Sequence, residues 1–144
     1  MDTFAAQLEG FADKTTDDLI DIVSGAAQDM LQDCQTTAQG VTAGGALIEG
    51  RIPVVSADLV NSLTSGKNGG TSGIGAASYA VVLADFDAGD YLSFMWTAEY
   101  AKRVHYGFVG TDSLGRTYNV PGWHFVDKHV ANWDGYVQAR AALL

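Results

Sequence analysis

The chain has 144 residues, of which 47% are hydrophobic and 17% are charged. This is the size and composition of one globular domain, and it argues against disorder over the full length. No apolar run reaches the roughly 18 residues of a membrane-spanning helix, we expect no secretory signal, and a single cysteine excludes an intramolecular disulfide. The net charge of −9 makes general nucleic-acid binding a poor fit, because that activity depends on Lys and Arg.

The acidic residues are concentrated toward the N-terminus. Residues 1–49 carry nine acids and one base, whereas residues 99–144 carry four acids and five bases. Such an acidic stretch is typical of a solvated helix face. The alternatives are that it faces a basic partner or that it repels DNA.

Hydrophobic spacing predicts helix in the first third of the chain. We expect a short helix near 3–13 and a longer one near 16–38, or one continuous helix, with Thr15 or Thr16 as the N-cap of the longer one. The apolar face ends at Cys34. Because no neighbouring base or cation would activate this thiol, we expect a buried structural cysteine.

Glycines and one proline divide the middle of the chain. The glycine-rich segment 40–50 predicts a loop, and Pro53 prevents a helix just after it. A short turn capped by Ser56 or Asp58 then leads into a strand near 60–65.

The segment 66–75 contains five glycines and Lys67, which predicts a flexible hairpin tip. Its glycines and lysine do not follow the order of a phosphate-binding loop, so no nucleotide site is expected here.

Two further strands are predicted after this tip. Residues 79–86 and 91–97 are rich in strand-forming side chains, and a tight turn at 87–90 would join them into a hairpin. With the strand near 60–65 they form a small antiparallel sheet. Three aspartates in this region resemble part of a calcium loop, but the closing glutamate of such a loop is missing, so we expect no metal there.

The last third predicts a short helix, a long loop and a helix. Residues 98–106 form the short helix, which ends at Gly107. Residues 108–122 form a long interaction loop, since structureless loops of this length in compact domains are usually functional. Residues 123–144 show helical spacing again.

The predicted fold is therefore α+β in a single domain, 1–144. It has a long N-terminal helix, a small antiparallel sheet of about three to four strands, a short helix, and a C-terminal helix packed on the sheet.

No local arrangement of side chains indicates catalytic or metal chemistry. His124 and His129 are five residues apart, whereas two ligands on one helix face need a spacing of four. No serine lies in a G-x-S-x-G elbow. We therefore expect no catalytic residues, no cofactor and no metal.

Aromatic side chains crowd the last third of the chain, and most of them suit a core. Phe108, Tyr118 and Trp123 fall in or beside the predicted loop, where aromatic residues often make protein–protein contacts. We treat these three and Lys67 as candidate interface residues, with core packing of the aromatics an equally open alternative.

Three segments carry a resemblance to a known family. Residues 51–63 resemble a "P-V-D-T-G-x-L-x-x-S" signature, residues 100–107 resemble "Y-A-x-x-V-E-Y-G", and residues 121–126 resemble a closing Pro–Phe segment that precedes a helix. The family is the tail-completion or neck proteins, which join head to tail in long-tailed bacteriophages. His105 stands where the family pattern has glutamate. The matching positions are Pro53, Val54, Leu59, Ser62, Leu63, Tyr100, Ala101, Val104, Tyr106, Gly107, Pro121 and Phe125.

The resemblance implies a non-enzymatic virion protein. Such proteins form a ring, commonly of six subunits, between the head connector and the tail. DNA passes through the channel without specific binding. The implied partners are further copies of the chain, head connector, stopper or adaptor proteins, and tail terminator or tail tube proteins. The implied location is the neck of the virion, with the host cytoplasm before assembly, and no membrane is involved.

Other functions remain open at this stage. The chain could be a tail terminator or a head-closure (stopper) protein, which the sequence does not separate from a tail-completion protein. It could also be a small ligand-binding or enzyme domain that uses its aromatic last third. A nucleic-acid-binding accessory role is disfavoured by the charge.

Overall fold

The computed structural model describes residues 3–144 and begins with one long helix, α1 (Phe4–Cys34). The Thr3 hydroxyl caps this helix by accepting a hydrogen bond from the Ala6 N–H at 3.1 Å. Of the two predicted arrangements, the single continuous helix is therefore the correct one.

The predicted second helix start does not exist. Thr15 and Thr16 lie inside α1, and the Thr15 hydroxyl donates to the carbonyl of Phe11 at 2.9 Å. Bonding back to the preceding turn lets a threonine stay within a helix instead of starting one. The C-terminal end also falls short of the predicted 16–38, because Thr37–Gln39 forms strand β1.

A short parallel pair follows α1. Strand β2 (Ile52–Val54) runs parallel to β1, with Pro53 opposite Ala38. The segment 40–50 between them is a loop that contains one 3₁₀ turn, Val41–Ala43. Both the loop and the absence of a helix at Pro53 agree with the sequence prediction.

The main sheet has three antiparallel strands. Helix α2 (Asp58–Asn61) leads into it, so the strand predicted near 60–65 starts only at residue 63. The sheet consists of β3 (Leu63–Lys67), β4 (Gly70–Ile74) and β5 (Leu92–Trp96), in the order β4-β3-β5. The strand predicted at 91–97 is thus confirmed as β5.

Two tight turns bound this sheet. Asn68 and Gly69 join β3 to β4 with φ values of 54° and 87°, the left-handed conformations that a type I′ hairpin turn requires. The predicted tip at 66–75 is therefore mostly regular strand around a two-residue turn. The turn predicted at 87–90 is present and is closed by a hydrogen bond between its first and last residues.

The strand predicted at 79–86 is wrong, because this segment forms helix α3 (Ser78–Ala84). The Ser78 hydroxyl donates to the Leu63 carbonyl at 3.1 Å and lies 2.8 Å from the Ser65 hydroxyl. These buried contacts fix α3 against β3, and β5 pairs with β3 without the predicted hairpin partner.

A second hairpin replaces the predicted long loop. Helix α4 (Ala101–Tyr106) ends at Gly107, whose φ of 81° is left-handed, as predicted for a helix terminator. Strands β6 (Gly107–Thr111) and β7 (Thr117–Pro121) then pair along their full length. The loop predicted at 108–122 is therefore wrong as a description of secondary structure.

The predicted C-terminal helix is divided into two. Helix α5 (Asp127–Val130) is a single turn, and α6 (Trp133–Ala141) lies along α1. Arg140 on α6 donates two hydrogen bonds to the Asp29 carboxylate, each of 2.7 Å. Trp133 packs into a cluster that includes residues of β5.

Two hydrophobic clusters hold the elements together. One joins β2, α2, α4 and the chain after β7, and the other joins α1 to α3. Cys34 is 1% exposed, as predicted, and burial raises the pKa of its thiol to about 12. The predicted α+β class is confirmed. None of the helices within residues 3–144 combines the length and apolar character needed to cross a bilayer.

Candidate functional site

Among the described residues, 3–144, nothing packs over the N-terminal half of α1. All residues from 3 to 17 are exposed, and the first buried residue of the helix is Ala26. At 1.5 Å per residue, this exposed part extends for about 20 Å. This part of the fold is accessible to another chain.

One face of this projecting segment is strongly apolar. Phe4, Leu8 and Phe11 are 74%, 53% and 71% exposed, and Leu19 continues the same face. We call these four residues the α1 stripe. Large apolar side chains gathered on one exposed face indicate an interaction surface, whereas single exposed ones do not.

Acidic residues occupy the opposite face of the same segment. Glu9, Asp13 and Asp17 lie about half a helical turn away from the α1 stripe. Within residues 3–144, none of the three takes part in an ion pair. The segment therefore presents one apolar and one uncompensated acidic side.

The second feature is an apolar groove of about 720 Å³ on the body of the protein. Its walls come from the loop after β1, the β2–α2 connection, α4 and β7. Several large side chains remain exposed in it, namely Val41, Val55, Tyr100 and Val120. We call this feature the apolar groove.

The three segments that carry the family resemblance meet around the apolar groove. Pro53 and Leu59 come from the first segment, Tyr100 and Val104 from the second, and Pro121 from the third. Their separation in sequence gave no indication that they share one wall. The lining residues that the sequence analysis did not single out include Val41, Leu47, Val55 and Val120.

The other residues that match the family motifs lie outside the apolar groove. Ala101, Phe125 and Leu63 are buried in the protein interior, and Ser62 donates its hydroxyl to the Leu59 carbonyl at 2.8 Å. Val54 lies in β2 and is half-buried. Tyr106 is 59% exposed and borders a separate cleft.

Backbone contacts hold α4 against the chain that follows β7. The Trp123 N–H donates to the Val104 carbonyl at 2.9 Å, and the His124 N–H donates to the His105 carbonyl at 3.0 Å. A Cβ atom on Gly122 would lie 2.4 Å from the His105 carbonyl oxygen. Only glycine allows this approach, so the wall of the apolar groove is fixed by the backbone.

The candidate interface residues differ in their surroundings. Trp123 is 6% exposed and forms part of the groove wall. Lys67 lies 2.7 Å from the Asp85 carboxylate and 3.6 Å from that of Asp90, and these contacts raise the pKa of Lys67. Its amine therefore ties the β3–β4 hairpin to the segment between α3 and β5.

Phe108 and Tyr118 lie together on the β6–β7 hairpin, with ring centroids 6.0 Å apart. The Arg103 guanidinium covers the Phe108 ring at 4.1 Å from its centroid. Phe108 is directly opposite Val120, a groove residue, and paired residues of antiparallel strands point to the same face. Arg103 thus covers a ring that shares its face of the hairpin with a groove residue.

A polar cluster lies outside the groove. His105 on α4, His124 after β7 and Asp127 at the start of α5 come together. Burial lowers the pKa of His105, Asp127 opposes this effect, and His124 adds to it. His124 and His129 are close in the chain, whereas the proximity of His105 to His124 arises only in the fold.

The groove has the composition of a binding surface. Its polar side chains are few, and the Ser56 hydroxyl is bonded to the Asp58 carboxylate at 3.0 Å. No histidine or cysteine is among its lining residues within the described part of the chain. No known family model, curated protein or solved structure matches this chain.

Proposed function

We propose that this chain is a structural subunit of the neck of a long-tailed phage. In this proposal it forms a closed ring of six subunits that completes the tail and joins it to the head connector. The projecting half of α1, with its exposed apolar stripe, is the observation that carries the proposal. Burying one large apolar side chain contributes roughly 1.5–3 kcal/mol, so such a stripe favours association strongly.

The α1 stripe and the apolar groove are different surfaces of one subunit. If the stripe of one copy packs into the groove of the next, the contact is heterologous and repeats from copy to copy. A repeated heterologous contact closes into a ring when the rotation between neighbouring subunits is a whole fraction of 360°. This geometry links the two exposed apolar features without invoking a third surface.

Charge fits the same arrangement. Glu9, Asp13 and Asp17 lie on the face of α1 opposite the stripe, so they stay free when the stripe is packed into a groove. The net charge of −8 in residues 1–49, against +1 in residues 99–144, favours the encounter of neighbouring copies by long-range attraction. Acidic side chains left facing a channel would also keep DNA from adhering.

The proposed location in the neck of the virion comes from the sequence resemblance. Its three segments surround the apolar groove, which fits a common surface that receives a neighbouring subunit. Connector, stopper or adaptor proteins on one side and tail terminator or tail tube proteins on the other are the proposed partners. The tail-terminator and stopper alternatives share this ring architecture, and imaging of intact particles would distinguish them by position.

Native mass spectrometry over a concentration series tests ring formation. We expect a discrete oligomer of six copies for the unaltered chain and a monomer for the triple variant F4S/L8S/F11S. Val81 is 64% exposed on α3, so V81S is a matched control that should leave the oligomer intact. Absence of the protein from purified virions would contradict the neck assignment.

The groove also favours one alternative, a site for a small apolar ligand. Pockets of roughly 300–1,000 Å³ with mainly apolar walls are typical of such sites. Two results together would support that function instead. The chain would stay monomeric both alone and in the presence of phage tails, and a small molecule would raise its melting temperature in a saturable way.

A further inference from the structure

We propose that His105, His124 and Asp127 form a binding site for a divalent transition-metal ion, with Zn²⁺ the best match. Among residues 3–144 they form a cluster of three metal-ligating side chains whose donor atoms all lie within 4.8 Å of one another. Two imidazoles and one carboxylate are a ligand set that zinc accepts, with a fourth position open to water.

The donor atoms lie within 4.8 Å of one another, somewhat farther apart than in a loaded site. His105 Nε2 lies 3.7 Å from Asp127 Oδ1, and His124 Nδ1 lies 4.0 Å from Asp127 Oδ2. Ligands bound tetrahedrally at about 2.0–2.1 Å are about 3.3 Å apart. The His124 and Asp127 side chains are 37% and 56% exposed, so both can make the small rotation that closes this difference.

The third ligand, His105, is already fixed in a suitable form. Its Nε2 accepts a hydrogen bond of 3.2 Å from the Asp127 N–H, so this nitrogen is unprotonated and faces Asp127. An unprotonated nitrogen is what metal binding needs, and the bound ion would take the place of this hydrogen bond.

The second nitrogen of His105 carries the ring proton when Nε2 is the acceptor. His105 is 6% exposed, and its Nδ1 has no hydrogen-bond partner among the described residues. An unpaired buried polar atom is costly, and an apolar side chain of similar size would avoid that cost. A histidine at this buried position therefore points to a role for the ring beyond packing, and Nε2 is the nitrogen that an ion would use.

The three ligands come from segments that the fold holds in place. His105 lies in the last turn of α4, His124 has a φ of 45° in the left-handed region, and Asp127 starts α5. Backbone bonding between His124 and His105 fixes two of them relative to each other. His105 and Asp127 also line a cleft of about 300 Å³, where a water molecule can reach a bound ion.

Titration calorimetry with ZnCl₂ on a chelator-treated chain without a histidine tag tests this site. We expect one ion per chain and a higher melting temperature with zinc. H124Q and D127N change exposed side chains, so they should fold normally and weaken zinc binding at least tenfold. His129 bonds to the Gly50 carbonyl at 2.7 Å, away from the cluster, so H129Q should bind zinc as the unaltered chain does.

Two results would overturn the proposal. One is the lack of saturable zinc binding by the unaltered chain. The other is binding that H124Q and D127N leave unchanged, or that H129Q removes. Neither result bears on ring formation, which the α1 stripe variant reports separately.

Discussion

Single side chains explain how α1 is anchored while its first half stays free. Arg140 of α6 forms a two-bond ion pair with Asp29, and its aliphatic part lies over Gly25, where a Cβ atom would be 2.8 Å from the Arg140 Cδ. Tyr136 donates its hydroxyl to Asp33 at 2.5 Å. These contacts all fall after residue 24, so α6 holds only the second half of α1.

The ion pair between Arg140 and Asp29 predicts a pH-dependent contribution to stability. R140M keeps the aliphatic packing and removes the charge, and because the pair is partly exposed we expect it to lower the free energy of unfolding by only about 1 kcal/mol at pH 7. Arg140 lowers the pKa of Asp29 in the folded state. The stabilisation is therefore present above the usual carboxyl pKa and is lost as pH falls through the lowered one.

Denaturant unfolding of R140M and the unaltered chain between pH 3 and pH 8 measures this effect. The difference should stay constant from neutral pH down to about pH 5 and shrink below about pH 4. K14M breaks the more exposed pair between Lys14 and Asp18 and is expected to show no measurable change. A difference for R140M that grows toward acid pH would contradict this assignment.

At the scale of elements, the sequence predicted those structures that a local signal specifies. Gly107 ends α4, Pro53 excludes a helix, and the 87–90 turn joins α3 to β5, each through its own backbone chemistry. Residues 79–86 were mistaken for a strand, because a short apolar run rich in valine fits a buried helix equally well. Contacts of Ser78 with β3, which are distant in sequence, decide the outcome.

The candidate site was less accessible to prediction than the fold. The apolar groove is built from segments around Pro53, Tyr100 and Pro121, and only the fold brings them together. The hairpin at 108–122 lacks the two-residue glycine turn that marks the β3–β4 hairpin, so its strands resembled a loop. The acidic first third was evident from composition, but the separation of residues 3–17 from the body was not.

The exposed half of α1 predicts a difference in hydrogen exchange between ring and monomer. In the ring, backbone amides of residues 7–17 should be protected, because the α1 stripe is packed against a neighbour. In the monomeric variant F4S/L8S/F11S the same amides should exchange rapidly, since few contacts support that part of the helix. Amides near Leu31 should be slow in both, because that part is packed in the core.

Exchange followed by mass spectrometry measures this directly, and V81S again serves as the control that retains the ring. Equal and rapid exchange of residues 7–17 in the oligomer and in the monomer would show that another surface forms the subunit contact.

On the scale of the whole molecule, the central proposal is one repeated contact between the α1 stripe of one subunit and the apolar groove of the next. The two surfaces can be removed separately. F4S/L8S/F11S removes the stripe, and V55D/V120D places charges in the groove at positions that are 66% and 48% exposed. Because all five side chains are exposed, both variants are expected to remain folded monomers.

Mixing the two variants tests this contact most directly. The stripe variant retains its groove, and the groove variant retains its stripe, so the two can form one intact contact. The heterodimer then has no functional stripe or groove left, and assembly stops there. Native mass spectrometry of the equimolar mixture should show a 1:1 heterodimer and no ring. A mixture that remains two monomers, or one that restores the full ring, would contradict the proposed contact.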